Sequence, residues 1–261
     1  MMRTIGITSI NGFSHSMDER FRLIKNAGFD SILLWWGNDE NETREERVLL
    51  AKKHGLIIEN AHATTDNLNA LWLDGGDGNK TMCELEKEIL DCRQFNINNM
   101  VLHLTNGSTP PPISDIGIAR IEKLIDCAES NGIYLAFENM RVPQHLQYVL
   151  DNYQSEYVGL CYDSGHEHIW MPNIDWLTLY SDRVFAIHLS DNFGNTDSHL
   201  IPFDGSINWN SIMLKLVKTS YKGTLTIEAE FHSSNKYTGI SFESFLKNAF
   251  EGACSLEKIN N

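Results

Sequence analysis

The sequence predicts a single (β/α)8 barrel, and two observations carry that reading. Eight short apolar runs alternate with eight stretches of helix-forming composition along 261 residues, the pattern of a parallel barrel ringed by helices. Six consecutive runs also end in a residue able to bind a metal: IIENAH at His62, MVLHL at His103, YLAFEN at Glu138, VGLCYD at Asp163, VFAIHL at His188 and LTIEAE at Glu228. Strand ends of one barrel form a ring, so ligands scattered through the sequence converge on one pocket. Asp and Glu number 35 and His 10 of the 261 residues, so six such endings arise by chance with a probability on the order of 10⁻⁵.

In chain order, strands are expected at 3–8, 31–36, 57–62, 99–104, 134–139, 158–163, 184–189 and 224–230. Helices are expected between and after them at 18–27, 43–54, 80–95, 116–131, 144–152, 175–181, 208–219 and 242–253, several with apolar residues three and four apart. Ala27-Gly28, Asn131-Gly132 and Lys222-Gly223 mark helix ends directly before strands. In the last run Thr224, Thr226, Glu228 and Glu230 share one face and Leu225, Ile227 and Ala229 the other. The same parity groups Ala136 with Glu138 and Ala186 with His188, which places small residues beneath the candidate ligands. No linker, internal repeat or low-complexity tract interrupts residues 1–261, so one domain is expected.

Hydrophobic residues make up 42% and charged residues 21% of the chain, an ordinary balance for a globular protein with a large core. No apolar run approaches the roughly 20 residues of a membrane span. The start, MMRTIGITSINGF, lacks a basic stretch followed by an apolar one. A cytoplasmic protein is the expectation. The five cysteines are odd in number and form no C-x-x-C pair, which argues against a disulfide framework and a thiolate zinc site. Cys161 lies two residues before Asp163 on the same strand face, suited to packing inside the barrel. A net charge of −14 has the wrong sign for binding nucleic-acid phosphates, so nucleic acid is disfavoured as a partner. Nothing decides the oligomeric state, and a homo-oligomer stays open.

Glu138, Asp163, His188 and Glu228 combine carboxylates with imidazole, a mixture suited to Zn²⁺, Mn²⁺, Co²⁺ or Fe²⁺ rather than to a calcium cage or a copper thiolate site. His166 follows Asp163 by three positions in DSGH. Asp197 and His199 sit two apart in the loop after the His188 strand, where alternation aims both to one side. With His62 and His103 this makes nine candidate ligands, more than one ion can use. Glu230 competes with Glu228 for the last place, since both face inward. His168 suits a surface or supporting position, and His15 lies near the first strand end.

The order His, His, Glu, Asp-x-x-His, His, Asp-x-His, Glu over strands three to eight resembles the xylose isomerase-like barrel superfamily, which contains endonuclease IV and many sugar isomerases and epimerases. HLSDNFGNTDSHLIPFDGSINW, from His188 to Trp209, is similar to the H-x-x-D…D-x-H-x-x-x-G-x-G-x-I-x-W stretch of the isomerase/epimerase branch. Phe203-Asp204 replaces the first Gly of that pattern, leaving Gly205. The resemblance implies one to three divalent ions, Zn or Mn foremost. Similarity to endonuclease IV implies that His62, His103, Glu138, Asp163, His166, His188, Asp197, His199 and Glu228 are all metal ligands of a phosphodiesterase. Similarity to the epimerases implies that Glu138, Asp163, His188 and Glu228 hold one ion, with Glu138 and Glu228 as the catalytic proton-transfer pair. The Arg that those epimerases carry shortly after the strand-seven His is absent from residues 190–196.

Aromatic residues at the expected mouth are Trp35, Trp36, Trp72, Phe13 and Trp170, whose flat faces suit sugar rings, and Arg141 is the main cation there. Trp35, Trp36 and Arg141 are taken as substrate-binding. A small sugar or polyol is the expected substrate.

Overall fold

The computed structural model describes residues 3–38, 40–232 and 234–259. Eight parallel strands form one nearly closed barrel: β1 (Ile5–Thr8), β2 (Ser31–Trp35), β3 (Ile57–His62), β4 (Asn99–Leu102), β5 (Tyr134–Glu138), β6 (Val158–Asp163), β7 (Val184–His188) and β8 (Leu225–Ile227). Each strand pairs with its neighbour in sequence through to β7, and β1 also pairs with β8. The seam between β7 and β8 closes where Leu189 N–H donates to Thr226 O at 2.9 Å and Glu228 N–H to Leu189 O at 3.1 Å.

The surrounding helices are α1 (Met17–Ala27), α2 (Arg44–Lys53), α3 (Gly76–Phe95), α4 (Asp115–Asn131), α5 (Pro143–Asn152), α6 (Ser164–Trp170), α7 (Trp176–Leu179), α8 (Trp209–Leu216) and α9 (Phe242–Ile259). Their starts follow local chemistry. Thr43 and Glu46 form a reciprocal capping box on α2, and Ser16, Ser114 and Asn208 side chains each accept an N–H of the first turn of their helix. Gly28 and Gly132 end α1 and α4 in the left-handed conformation, at φ 110° and 67°.

Lys222-Gly223 does not end a helix. α8 stops at Leu216 because the chain tightens there, with Lys218 N–H donating to Lys215 O and Thr219 N–H to Leu216 O at 2.9 and 3.1 Å. The last strand is shorter than its alternation suggests. Beyond Glu228 its amides leave the sheet, Glu230 N–H donating to His199 O and Phe231 N–H to Asn11 O. Among the described residues, no helix is long and apolar enough to cross a membrane.

Large side chains such as Phe21, Phe29, Leu85, Phe137 and Trp176 fill the layer between barrel and helices, whereas Val101, Ala136, Cys161 and Ala186 form a small separate cluster. The inward alternation of β4 to β7 puts these short side chains under the ligand-bearing strand ends.

A register shift between Ile32 and Leu33 skips Glu59 in the pairing of β2 with β3. Glu59 instead accepts hydrogen bonds from Tyr221 Oη and Thr226 Oγ1 at 2.8 and 2.6 Å, near the β8 side of the barrel. Burial raises its carboxyl above the ordinary value, against the pull of both hydroxyls. A carboxyl whose folded pKa lies above its unfolded one stabilises fully below the unfolded value, about 4.3, and loses that contribution as pH rises through the folded one. Wild type should therefore lose stability relative to Glu59→Gln as pH climbs above about 4.3, measured by urea denaturation of both proteins across pH. A difference independent of pH would remove Glu59 as the cause.

Candidate metal centre at the barrel mouth

All nine candidate ligands meet at the C-terminal mouth. Their donor atoms fall into overlapping groups, each within 4.8 Å: Glu138, Asp163, His188 and Glu228; His62, His103 and Glu138; His166, Asp197 and His199. Glu138 joins the first two groups. Its Oε2 lies 3.0 Å from His103 Nε2 and 3.4 Å from both His62 Nε2 and His188 Nδ1, while Oε1 lies 3.1 Å from His166 Nδ1. His188 Nδ1 also lies 3.3 Å from Glu228 Oε2.

Local structure explains this convergence. Asp163 ends β6 and caps α6, its Oδ1 accepting the His166 N–H at 2.6 Å, so the D-x-x-H spacing turns both side chains to the same opening. Asn139 ties β5 to β6: its Nδ2 donates to Asp163 O at 2.9 Å and its Oδ1 accepts Asp163 N–H at 2.6 Å. The loop after β7 is knotted around the buried carboxylate of Asp191. It accepts N–H groups of Asn192, Phe203 and Ile207 and the indole N–H of Trp209 at 2.8 to 3.1 Å. His199 is held at φ 38° and Phe203 at φ 77°. Phe203 thus occupies a left-handed position where the isomerase-type pattern has a glycine. The supporting roles of Asn139 and Asp191 were not read from the sequence, although ENM and HLSD contain them beside Glu138 and His188.

The electrostatics show a set of acids and imidazoles short of positive charge. Burial opposes ionisation of Glu138, but His188, His103 and His166 outweigh it and hold the carboxyl well below the usual range. Burial is likewise overcome at Glu228, held at about 2 chiefly by His188. At Asp197, His166 and His199 hold the carboxyl below its ordinary value. Asp163 goes the other way, to about 7, because burial and the nearby Glu228 and Glu138 exceed the help of His166. His199 is pushed up to about 10 against burial by Asp197, Glu228 and Glu230.

The donors fit a bound cation. His62 Nδ1 faces Ala63 O at 2.9 Å and its Nε2 faces Glu138; His199 Nδ1 faces Glu228 O at 2.9 Å and its Nε2 faces Asp197 at 3.3 Å. A ring nitrogen facing a carbonyl donates to it, which leaves the other nitrogen of a neutral ring as a lone pair aimed at a carboxylate. Only a proton or a metal ion reconciles that pair. Asp163 Oδ2, His188 Nδ1 and Glu228 Oε2 are buried without a hydrogen-bond partner, and all three belong to the four-residue group. Donors about 2.1 Å from a tetrahedral ion stand roughly 3.4 Å apart, close to the 3.3 and 3.4 Å separations around His188 Nδ1.

The aromatic expectations divide. Trp35 pairs in register with His62, and its ring lies 5.3 Å from the His62 ring. Gly37 gives it room, since a Cβ there would stand 2.6 Å from the indole. Trp36 is corrected as a substrate-binding residue: it is fully buried outside the barrel wall, donating to Glu88 O at 3.3 Å, because the residue after an inward Trp35 points outward. Trp72 is also buried, its indole donating to Leu104 O at 2.7 Å. Phe13 packs on Phe231 and Phe242, and His15 lies 5.1 Å from the Phe242 ring. Trp170 does reach the site, 4.8 Å from the His166 ring, and carries the Arg141 guanidinium 4.6 Å above its own ring. His168 bonds Ser206 Oγ at 3.0 Å. Glu228 belongs to the four-residue group, whereas Glu230 lies past the point where the chain leaves the sheet and acts on His199.

Over 112 residues the chain is 36% identical to an uncharacterized protein of Sinorhizobium fredii; the match takes in 42% of this chain and 35% of that protein, so the chain spans about a third of that relative. A crystal structure of a D-tagatose 3-epimerase-like protein superposes with a TM-score of 0.77 at 19% identity, covering 98% of this chain and 96% of the other. D-psicose 3-epimerase, crystallised in the presence of D-fructose, gives 0.78 at 16% identity over 100% and 99%. At these identities the likeness is one of fold. Residues 21–249 match the family described as the xylose isomerase-like TIM barrel, and the chain belongs to that family.

Proposed function

We propose that the chain is a divalent-metal-dependent isomerase or epimerase of a small sugar or polyol. The single observation that carries this reading is the four-residue group of Glu138, Asp163, His188 and Glu228, where three buried donor atoms lack a hydrogen-bond partner. The sugar 3-epimerases that share the fold support the choice of reaction class. These four residues would hold the ion, with His62, His103, His166, Asp197 and His199 within reach of a second or third. A divalent ion there supplies Lewis-acid polarisation of a carbonyl oxygen.

The proton chemistry belongs to Glu138 and Glu228. They approach His188 Nδ1 at 3.4 and 3.3 Å, so two carboxylates flank one small volume. One removes the proton from the carbon beside the carbonyl and the other returns a proton to that carbon or its neighbour. The pair carries one proton between them during turnover: the ionised member, favoured by the imidazoles beside each carboxylate, is the base, and the protonated member supplies the proton that is returned. His103 and His62 grip Glu138 Oε2 and fix its direction. The Trp35 ring beside His62 offers a flat apolar wall for a sugar.

The test is metal analysis of the purified protein, followed by incubation of the Zn-, Mn- or Co-loaded form with ketoses in D₂O. We expect at least one ion per chain, and deuterium at the carbon beside the carbonyl in the product. Protein that stays metal-free after such loading would overturn the reading.

The five further ligands favour one second reading, a multi-metal phosphodiesterase of the endonuclease IV kind. With a net charge of −14, we expect no cleavage of an abasic-site duplex at catalytic enzyme concentrations and physiological salt. Measured cleavage would put hydrolysis first.

A further inference from the structure

Lysine and arginine are scarce around the mouth. In all the loops that join a strand to the helix after it, the only Lys or Arg are Arg141 and Lys236. Lys236 is paired with Asp204 at 3.2 Å. Cations at the nearby helix starts are also engaged: Arg20 with Glu40 at 2.7 Å, and Arg44 with Glu88 and Asp91 at 2.6 Å. Arg120 donates to backbone carbonyls of Ala70, Leu71, Leu73 and Gly75.

Arg141 differs from all of these. It stands three residues after Glu138, exposed, and among the described residues it makes no hydrogen bond or ion pair. Its guanidinium instead rests on the Trp170 ring at 4.6 Å, and that ring lies 4.8 Å from His166. His166 in turn touches Glu138 and Asp197 at 3.1 and 3.4 Å. A guanidinium laid on an indole keeps its planar fork of N–H donors free and loses little freedom when it binds. The mouth offers carboxylates to pair with, yet this arginine is presented with its donors unused, one ring away from the candidate ligands. Away from the metal group and its histidines, such a guanidinium is where the negative end of a ligand can pair in a mouth rich in carboxylates.

We propose that Arg141 determines specificity by receiving one anionic group, a carboxylate or a phosphate monoester, at the end of the substrate remote from the reacting carbonyl. This rests on the isomerase reading and adds the substrate class: a sugar acid or sugar phosphate in place of a neutral sugar. A carbon chain lying across Trp170 then has its carbonyl at the four-residue group and its charge at the guanidinium.

Matched pairs test this on the metal-loaded protein: D-fructose against D-fructose 6-phosphate, D-ribulose against D-ribulose 5-phosphate, and D-tagatose against D-tagaturonate. Deuterium exchange gives kcat/KM, and thermal shift gives binding without turnover. The anionic member of a pair should lead by at least about tenfold, the value of one charge-assisted bidentate contact. Arg141→Gln should erase that lead, and Arg141→Lys should keep much of it, which separates lost charge from a disturbed Trp170. A lead confined to phosphates or to carboxylates identifies the group. Equal or better handling of the neutral sugars by wild type, or a lead that survives Arg141→Gln, overturns the proposal. Should no sugar exchange deuterium, the isomerase reading fails. A thermal shift from the anionic members alone that Arg141→Gln abolishes would still uphold the anion site, and its absence would sink that as well.

Discussion

Glu138→Gln in the metal-loaded protein should lower turnover by at least about 10²-fold, the usual cost of losing an acid–base group, with a much smaller change in KM. Glu228→Gln should do the same. An amide matches the carboxylate in shape but accepts no proton from carbon. At Glu138 it also places an N–H₂ or a neutral oxygen among His62, His103, His166 and His188, all within 3.4 Å of the carboxylate, so metal content should fall too. The larger loss of metal belongs to Glu138, which is part of three candidate groups, and the smaller to Glu228, which is part of two. Steady-state kinetics with metal analysis of both variants checks this. Turnover without solvent deuterium in the product would favour a hydride shift, and full activity in both variants would remove the glutamates from the chemistry.

Asp191→Ala should cost about 3 to 5 kcal/mol of stability, because four N–H donors lose one buried acceptor and each orphaned donor costs about 1 kcal/mol or more. The carboxylate is completely buried, and its partners span Asn192 to Trp209. That loop carries Asp197 and His199, so the variant should also weaken metal binding at the His166, Asp197 and His199 group. Asp191→Asn should fall between, since its amide keeps one acceptor oxygen and sets a donor against donors. Urea denaturation measures the first effect and competition with a chelator the second. A loss under about 1 kcal/mol would mean that the loop holds itself without Asp191.

The sequence by itself determined the barrel and the composition of its mouth. Strand-helix alternation is local, and a ring of parallel strands leaves only one end at which His62, His103, Glu138, Asp163, His188 and Glu228 can gather. Asp163 and His166 were legible for a similar reason, because a cap and its third following residue share a turn. What only the tertiary structure decided depends on register and packing, which residue order does not carry. A bulge opposite Ile32 skips Glu59, and the pairing of Trp35 with His62 sends Trp35 inward and Trp36 outward. Glu228 joins the four-residue group and Glu230 does not, because the chain leaves the sheet between them, drawn by His199 O and Asn11 O from other loops. Arg141 was visible as a residue, but its freedom from the carboxylates of the described residues is a property of the assembled surface. Periodicity assigns a side chain to a face, whereas long-range contacts decide what that face meets.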